Sequence, residues 1–168
     1  GHDGLVVCGT TGEAPTLSDE EKLAMFAAVV EAVDVPVIAG TVGYNTAHSV
    51  ELRRLAAKLG VHGILALWPF YSRPSQAGIA AHFRAIADAC DLPQLIYDIP
   101  VRTGRKVSTE TLTRLAHEVP NIVGVKDAAH DPGETAKLVA ATPDDFEIYS
   151  GDDVLTLPFL SVGAIGTI

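Results

Sequence analysis

Short apolar runs rich in β-branched residues alternate along the chain with longer segments whose apolar positions recur at helical spacing. Seven short runs predict strands, at 5–9, 36–40, 63–67, 94–98, 121–126, 146–151 and 164–168. Six segments between them predict helices, at 18–32, 46–59, 75–90, 108–118, 132–141 and 152–161. Strands and helices in strict alternation indicate a parallel sheet that is covered by helices.

Several helix ends carry recognisable signals. Ser18 is followed three residues later by Glu21, which predicts a capping box. Asp131 stands before Pro132, a cap followed by a proline in the first turn. Gly60 follows a helical segment, where a left-handed residue ends many helices.

Two architectures fit this order of elements: an open doubly wound sheet and a (β/α)8 barrel. No G-x-G-x-x-G motif opens the first helix, so the nucleotide crevice expected of many open sheets is not indicated. A complete barrel takes roughly 250 residues. The 168 residues would hold most of such a barrel, and the chain begins without Met and ends inside an apolar run, which predicts a fragment. No linker divides it, so residues 1–168 are expected to form one partial (β/α)8 domain.

Composition and charge narrow the possible functions. A net charge of −9 argues against a nucleic-acid partner, because no basic stripe exists to neutralise phosphates. The twelve Lys and Arg are scattered, and no apolar run reaches transmembrane length, so no membrane partner is expected. Cys8 and Cys90 form no disulfide framework, and with no signal peptide they indicate reduced thiols in a cytoplasmic protein.

Polar and conformationally unusual residues follow the predicted strands instead of preceding them. GTTGE (9–13) follows the first strand, PFYSRPSQ (69–76) the third, YDIPVRTG (97–104) closes the fourth, and SGDD (150–153) follows the sixth. Active sites of α/β barrels are built at the carboxyl-terminal ends of the strands. This asymmetry therefore predicts a functional site at that end of the sheet.

Strand alternation brings two of these residues together. With Val123, Val125 and Ile96 packed against helices, Lys126 and Tyr97 both point into the barrel mouth from neighbouring strands. A desolvated lysine amine can attack a carbonyl to form an imine, and a tyrosine hydroxyl can transfer the necessary protons. The alternative is that Lys126 extends to solvent and Tyr97 only packs, and these two residues alone do not separate the interpretations.

The whole set of motifs resembles a known family. GTTGE, FYSRPSQAGIAAHF (70–83), YDIPVRTG, IVGVKDA (122–128) and SGDD occur in the order found in the dihydrodipicolinate synthase and N-acetylneuraminate lyase family of class I pyruvate aldolases. The resemblance runs the length of the chain. It implies a (β/α)8 TIM barrel that here lacks the first strand and the C-terminal helices.

The resemblance assigns a role to each matching residue. Lys126 matches the lysine that forms the Schiff base with pyruvate, and Tyr97 the tyrosine that moves protons at the imine. Thr11 matches the hydroxyl that links this tyrosine to a second one, and Tyr71 matches that second tyrosine, which enters the neighbouring subunit's site across a dimer interface. Thr10 and Thr11 match the residues that hold the pyruvate carboxylate. The family uses neither a metal nor a cofactor.

Further positions concern the second substrate and the assembly. Arg102 matches the arginine that binds the carboxylate of L-aspartate 4-semialdehyde, while Gly151 and Ile168 match main-chain positions that line the pocket. The resemblance thus implies condensation of pyruvate with this aldehyde to 4-hydroxy-tetrahydrodipicolinate, on the route to diaminopimelate and lysine, by a homotetramer built as a dimer of dimers. Asp98 departs from the family, where Asn is more common after the tyrosine.

Two kinds of alternative remain at this point. The chain could be N-acetylneuraminate lyase or a 2-keto-3-deoxy sugar acid aldolase, although Arg102 favours the synthase. It could also be a non-catalytic paralogue or an inactive fragment. Five histidines, His48, His62, His82, His117 and His130, show no metal-ligand spacing and are interpreted as surface or capping residues. Asp127 is expected to face away from Lys126, as a surface or helix-facing acid and not as its charge partner.

Overall fold

Seven parallel strands form one open sheet in which the order of strands is their order in the chain. The computed structural model describes residues 1–41 and 43–168 in full, and residue 42 as part of a strand. The strands are β1 (Leu5–Val7), β2 (Val37–Val42), β3 (Gly63–Leu67), β4 (Gln94–Asp98), β5 (Ile122–Asp127), β6 (Glu147–Ser150) and β7 (Gly166–Thr167).

A helix follows almost every strand. The helices are α1 (Asp19–Ala32), α2 (Thr46–Lys58), α3 (Gln76–Ala87), α4 (Pro100–Thr103), α5 (Thr109–Glu118), α6 (Pro132–Ala141) and α7 (Thr156–Ser161), with a 3₁₀ turn at Ala14–Thr16. The seven predicted strands and six predicted helices are confirmed in type and order. The pattern did not predict α4 or the 3₁₀ turn, and α7 begins four residues later than predicted because residues 152–155 form a turn.

The strand order decides between the two architectures. A doubly wound sheet reverses direction partway, so that helices cover both faces. Here each strand is added beside the previous one, from β1 to β7. Right-handed crossovers that always advance in one direction place the helices on one face. The chain is therefore an α/β protein whose seven parallel strands form part of a barrel, with a helix-covered outer face and a concave inner face.

Apolar side chains form a separate layer on each face of the sheet. The larger layer lies between strands and helices, and its fully buried large members include Phe26, Ile64, Trp68, Phe83, Ile96 and Leu115. The smaller layer lies on the concave face and comprises Leu65, Leu67, Leu95, Tyr97, Ile99 and Ala128. Ile96 and Tyr97 thus face opposite ways, as the alternation of side chains along a strand requires.

The predicted facing of β5 is wrong at its beginning. Ile122 belongs to the helix-side layer, whereas Val123 packs on the concave side. The cause is a register shift, in which Gln94 pairs with Ile122 but Leu95 pairs with Gly124, so that Val123 is skipped. Such a bulge reverses the alternation on one side of it. Beyond the bulge, Val125 faces the helices as predicted.

The predicted helix ends are confirmed. Ser18 Oγ accepts a hydrogen bond from the Glu21 N–H at 3.2 Å, while Glu21 Oε2 accepts from the Ser18 N–H at 2.8 Å. Asp131 Oδ1 accepts from the Glu134 N–H at 3.0 Å. Gly60 ends α2 with a φ of 82°. No helix within the described residues is long and apolar enough to cross a membrane.

A fully buried arginine ties α2 to the segment that precedes β4. Arg53 is 0% exposed. Its guanidinium donates to the Cys90 carbonyl at 2.9 Å, to the Leu92 carbonyl at 2.6 Å and to the Gln94 side-chain oxygen. These partners precede or begin β4, so they lie at the amino-terminal end of the strands, whereas the polar loops lie at the carboxyl-terminal end. Arg53 therefore stabilises the fold away from the candidate site.

Candidate active site

The concave face of the sheet encloses an open cavity of about 1110 Å³. Residues that the sequence placed in the site line its carboxyl-terminal part: Thr10, Thr11, Tyr97, Lys126 and Ile168. The structure therefore brings together side chains from the loop after β1, from β4 and β5, and from the end of β7. The predicted clustering of these residues at the carboxyl-terminal ends of the strands is confirmed, whereas their roles stay predictions.

Lys126 and Tyr97 are direct neighbours across two strands. They occupy paired positions in the β4–β5 register. The Lys126 Nζ lies 4.4 Å from the centroid of the Tyr97 ring. The predicted convergence of these two side chains is confirmed, and Lys126 does not extend into open solvent.

The surroundings shift both groups in ways that matter for chemistry. Burial lowers the pKa of the Lys126 amine, and the Asp153 carboxylate partly opposes this effect. Burial raises the pKa of the Tyr97 hydroxyl, with the Arg102 charge acting against it. A buried amine that loses its proton more readily is a better nucleophile, and a tyrosine that keeps its proton can donate it.

Gly151 lies directly against the stem of Lys126. A Cβ at this position would come within 3.1 Å of both Cγ and Cε of Lys126, and within 3.0 Å of the Ala128 Cβ. The Gly151 N–H donates to the Asp127 carbonyl at 2.8 Å, which holds the glycine close to β5. A Cβ at this position would make tight contacts with the Lys126 stem, which would have to shift by a few tenths of an ångström, so a glycine here lets the lysine stem pack closely.

The loops that surround the mouth contain strained backbone. Five non-glycine residues among those described have left-handed φ values: Cys8, Glu13, Tyr71, Arg73 and His130. All five follow β1, β3 or β5, at the carboxyl-terminal end of the sheet. Such conformations cost roughly 1–3 kcal/mol each and concentrate at functional sites, which is a second indication that this end of the sheet carries the function.

Three predicted site residues are not among those that line the cavity: Gly151, which lies against the Lys126 stem, Tyr71 and Arg102. Tyr71 is 95% exposed and projects from the loop after β3. Arg102 lies on α4, exposed to solvent, although its charge reaches Tyr97. Tyr44 and Phe70 pack edge to face nearby, with ring centroids 5.5 Å apart. Tyr44, Tyr71 and Arg102 are exposed and Phe70 is half-buried, and together they form a rim outside the cavity.

The sequence did not predict several polar contacts at the mouth. Asp152 and Asp153 open the segment 152–161, which the sequence predicts to be a helix. In the structure, Asp153 lines the cavity and acts on Lys126, while the Asp152 Oδ2 lies 2.8 Å from the His130 Nε2. Tyr149 pairs with Lys126 in the β5–β6 register, on the side opposite Tyr97. The position of the SGDD segment directly after a strand indicated that its aspartates lie near the candidate site, but only the fold shows which groups they contact.

The prediction for Asp127 is confirmed, whereas the prediction that His82 is a surface or capping residue is wrong. Asp127 faces the helices as predicted: it is 5% exposed, and its Oδ2 accepts a hydrogen bond from Thr135 on α6 at 2.7 Å. His82 is not a surface residue, since it is 3% exposed and its ring nitrogens contact the Thr46 hydroxyl at 2.8 Å and the Leu67 carbonyl at 3.1 Å. Burial lowers the pKa of His82, against the hydrogen bond to the Leu67 carbonyl, and so favours the neutral ring. No cluster of three or more His, Cys, Asp or Glu with the geometry of a metal site occurs in the described part of the chain.

Comparison with known proteins identifies the family. The family model for the dihydrodipicolinate synthetase family matches residues 1–168, which is the entire chain. The chain belongs to this family.

Curated relatives in the dihydrodipicolinate synthetase family are similar over the whole chain but extend well beyond it. The 4-hydroxy-tetrahydrodipicolinate synthase of Symbiobacterium thermophilum is 52% identical over 170 residues, covering 100% of this chain and 58% of the relative. The Bacillus subtilis protein of the same name is 49% identical, with 100% and 59% covered. The chain thus spans somewhat over half the length of these relatives.

Solved structures of the family have the same arrangement. The dihydrodipicolinate synthase of Bacillus anthracis superposes with a TM-score of 0.98 at 46% identity, covering 100% of this chain and 58% of that one. The enzyme of Cyanidioschyzon merolae with lysine bound has a TM-score of 0.97 at 45% identity, with 99% and 57% covered. At this similarity the family's strand order and the positions of its loops apply to the present chain.

Proposed function

We propose that this chain provides the Schiff-base half of a 4-hydroxy-tetrahydrodipicolinate synthase, which condenses pyruvate with L-aspartate 4-semialdehyde. The observation that carries the proposal is the position of the half-buried Lys126 amine, which lies 4.4 Å from the centroid of the Tyr97 ring. Both residues lie at the carboxyl-terminal end of the sheet, in a chain that belongs to this family. The names of the curated relatives support the same reaction. N-acetylneuraminate lyase and sugar-acid aldolase activities are the other chemistries to test, with their own aldehydes.

The first stage would be imine formation on Lys126. The neutral amine attacks the pyruvate carbonyl carbon, and the resulting carbinolamine loses its hydroxyl as water after receiving a proton. Tyr97 can donate this proton, and burial raises the pKa of its hydroxyl. Thr10 and Thr11 line the same cavity and can hold the pyruvate carboxylate through hydroxyl and backbone N–H groups. The proposal needs no metal or cofactor.

The second stage would join the two substrates. Loss of a proton from the pyruvyl methyl group converts the imine to an enamine, whose carbon attacks the aldehyde. The new carbon–carbon bond is followed by attack of the second substrate's amine on the imine carbon, which closes the ring and releases Lys126. Arg102, on the rim beside Tyr97, is placed to bind the carboxylate of the incoming aldehyde.

The architecture and assembly of the whole protein are also proposals. Agreement with the Bacillus anthracis structure over 58% of that chain supports a (β/α)8 barrel, of which residues 1–168 form one continuous domain without the first strand and the C-terminal helices. The exposed Tyr71 supports a dimer in which this residue enters the neighbouring site, and a homotetramer built from two such dimers. A cytoplasmic location is proposed on family grounds.

Borohydride trapping tests the proposed function. The intact protein that carries this chain is incubated with pyruvate, reduced with borohydride, digested and mapped by mass spectrometry. We expect a reduced pyruvyl group on the peptide containing Lys126 and on no other lysine. Turnover is then compared between aspartate semialdehyde and sugar aldehydes, and a preference for a sugar aldehyde would replace the synthase by a sugar-acid aldolase.

Replacing Tyr97 by Phe should slow the reaction without unfolding the protein. Tyr97→Phe keeps the ring beside Lys126 but removes the proton donor, so we expect the rate of imine formation to fall by about 10²- to 10⁴-fold. Rapid-quench borohydride trapping measures this rate. Tyr44→Phe is the matched control, because Tyr44 is 69% exposed and should retain the wild-type rate. Equal rates in both variants would remove Tyr97 from the proton transfers.

Replacing Arg102 by Ala should weaken binding of the second substrate, the semialdehyde, and leave the reaction with pyruvate unaffected. Hydrogen bonds to a charged group contribute about 1.5–3 kcal/mol, so we expect the KM for the semialdehyde to rise roughly 10- to 100-fold in Arg102→Ala. Trapping with pyruvate alone should be unchanged. Arg105→Ala is the control, since Arg105 is exposed in the same loop. If both variants raise KM equally, the effect is general electrostatic attraction, and Arg102 has no specific role.

A further inference from the structure

A second pair of facing side chains lies directly behind Tyr97 and Lys126. Asp98 and Asp127 are the last residues of β4 and β5, and they occupy the next paired positions in the same register. Asp98 is 1% exposed and Asp127 is 5% exposed. Two buried carboxyl groups therefore face each other on the helix side of the two strands that present the candidate catalytic residues.

The two carboxyl groups are hydrogen bonded very differently. Both oxygens of Asp127 have donors, the Ala129 N–H at 2.9 Å and the Thr135 hydroxyl at 2.7 Å. Asp98 has one, the Val107 N–H, which donates to Oδ1 at 3.1 Å. Its Oδ2 has no hydrogen-bond partner, although it is buried. Asp127 is thus satisfied as a carboxylate, while Asp98 is not.

Burial is the main reason that the neutral form of Asp98 is favoured. Burial, supplemented by the Asp127 charge, raises the pKa of Asp98 to about 7, against the Val107 N–H, the Lys106 ammonium and the Trp68 indole, which lower it. The Trp68 Nε1 faces this carboxyl from the loop after β3 but has no acceptor in hydrogen-bonding geometry. The pKa of Asp98 is thus raised to about 7 beside a second buried carboxyl group, that of Asp127.

Asp98 also connects the elements that carry the candidate site. Its carbonyl accepts the Ala128 N–H at 2.8 Å, joining the end of β4 to the loop after Lys126. Its side chain accepts the Val107 N–H, which closes the segment 99–107 that includes α4 and Arg102. One residue thus links Tyr97, the Lys126 loop and the Arg102 segment.

We propose that Asp98 is a positioning residue which, in its protonated form, holds Tyr97 against Lys126 and anchors the segment that carries Arg102. On ionisation it repels Asp127 across the strand pair and separates the ends of β4 and β5. This inference rests on the proposed imine chemistry for its catalytic consequence, whereas its consequence for stability does not depend on any substrate.

Two variants of the intact protein separate charge from shape. Asp98→Asn keeps an acceptor for Val107 but cannot ionise, and Asp98→Ala removes the acceptor. We expect the ratio of wild-type to Asp98→Asn trapping rates with pyruvate to fall about tenfold as the pH rises from about 6 to about 8.5, with the inflection near the Asp98 pKa of about 7. Ionisations of Lys126 and Tyr97 occur in both proteins and cancel in the ratio.

The anchoring role has its own readout. In Asp98→Ala the KM for the semialdehyde should rise about tenfold, and Asp98→Asn should restore the wild-type value, as expected for one lost hydrogen bond to a buried group. A purely structural role would lower the yield of folded protein in both variants, without the difference in KM between Asp98→Ala and Asp98→Asn. Equal KM values for Asp98→Ala and wild type would overturn the anchoring role.

A thermal measurement tests the carboxyl without any substrate. Because the pKa of Asp98 is raised on folding, its contribution to stability is full below the unfolded pKa and is lost as the pH rises toward about 7. The melting temperature of wild type relative to Asp98→Asn should therefore fall between about pH 4 and pH 7 and then level off. A constant difference refutes the proposal. If no variant forms a pyruvate adduct, the proposed function and the catalytic part of this inference fail together, and the melting curves still decide the charge state of Asp98.

Discussion

Lys126→Ala should abolish the pyruvate adduct and reduce turnover by roughly 10⁴- to 10⁶-fold, the range found when a covalent nucleophile is removed from an enzyme. The physical reason is that the amine supplies the covalent intermediate, and no other lysine lines the cavity among the described residues. The measurement is borohydride trapping followed by peptide mapping, together with steady-state turnover of pyruvate and the semialdehyde.

Stability and a matched control distinguish this loss from unfolding. The variant removes a cation that burial disfavours, so its free energy of unfolding should be equal to or greater than that of wild type. Lys58→Ala is the control, since Lys58 is exposed at the end of α2 and should leave trapping unchanged. A stable Lys126→Ala protein that still traps pyruvate would eliminate Lys126 as the nucleophile.

Arg53→Ala should produce the largest loss of stability among single substitutions away from the site, about 3–5 kcal/mol. The guanidinium donates to three oxygens, those of Gln94, Cys90 and Leu92; the variant removes all three hydrogen bonds, and of these acceptors the Cys90 carbonyl keeps a second donor, Asn121. Arg53→Lys should lose less than Arg53→Ala but more than a surface change, because an ammonium cannot span the same acceptors. Urea unfolding followed by circular dichroism measures the effect.

The neighbouring residue provides the comparison. Arg54 has a side chain that is 54% exposed and only a 4.0 Å contact with Glu51, so Arg54→Ala should change the free energy of unfolding by less than about 0.5 kcal/mol. Folded Arg53→Ala protein should still form the pyruvate adduct, because Arg53 lies on the opposite side of the sheet from Lys126. Similar losses for the two arginines would mean that the buried hydrogen bonds contribute nothing net.

Much of the fold was predictable because its signals are local. Apolar periodicity and capping residues such as Ser18 and Glu21 depend on residues within a few positions of one another. Each predicted strand and helix was therefore found, with end errors of a few residues. The additional helix α4 was missed because four residues are too short to show a helical period.

The sequence predicted the central pair of the candidate site, Lys126 and Tyr97, but not the contacts that surrounding loops make with it. Lys126 and Tyr97 follow from alternation along two adjacent strands, and the choice between a catalytic and a solvent-exposed lysine came from resemblance to the family. Asp153 lines the same cavity as Lys126, and Asp152 contacts His130. In both cases the two residues are more than twenty positions apart in the chain. No pattern within one loop indicates which side chain of another loop it will contact.

The sequence by itself determined the order of the elements, the parallel sheet and the arrival of Tyr97 and Lys126 at one end of neighbouring strands, because each depends on short-range periodicity. Only the tertiary structure decided the rest. It placed a bulge at Val123, because strand register is a property of two strands and not of one. It also buried Arg53, His82 and Asp98, polar residues whose main partners lie nine or more positions away along the chain, since burial depends on which distant segments pack together.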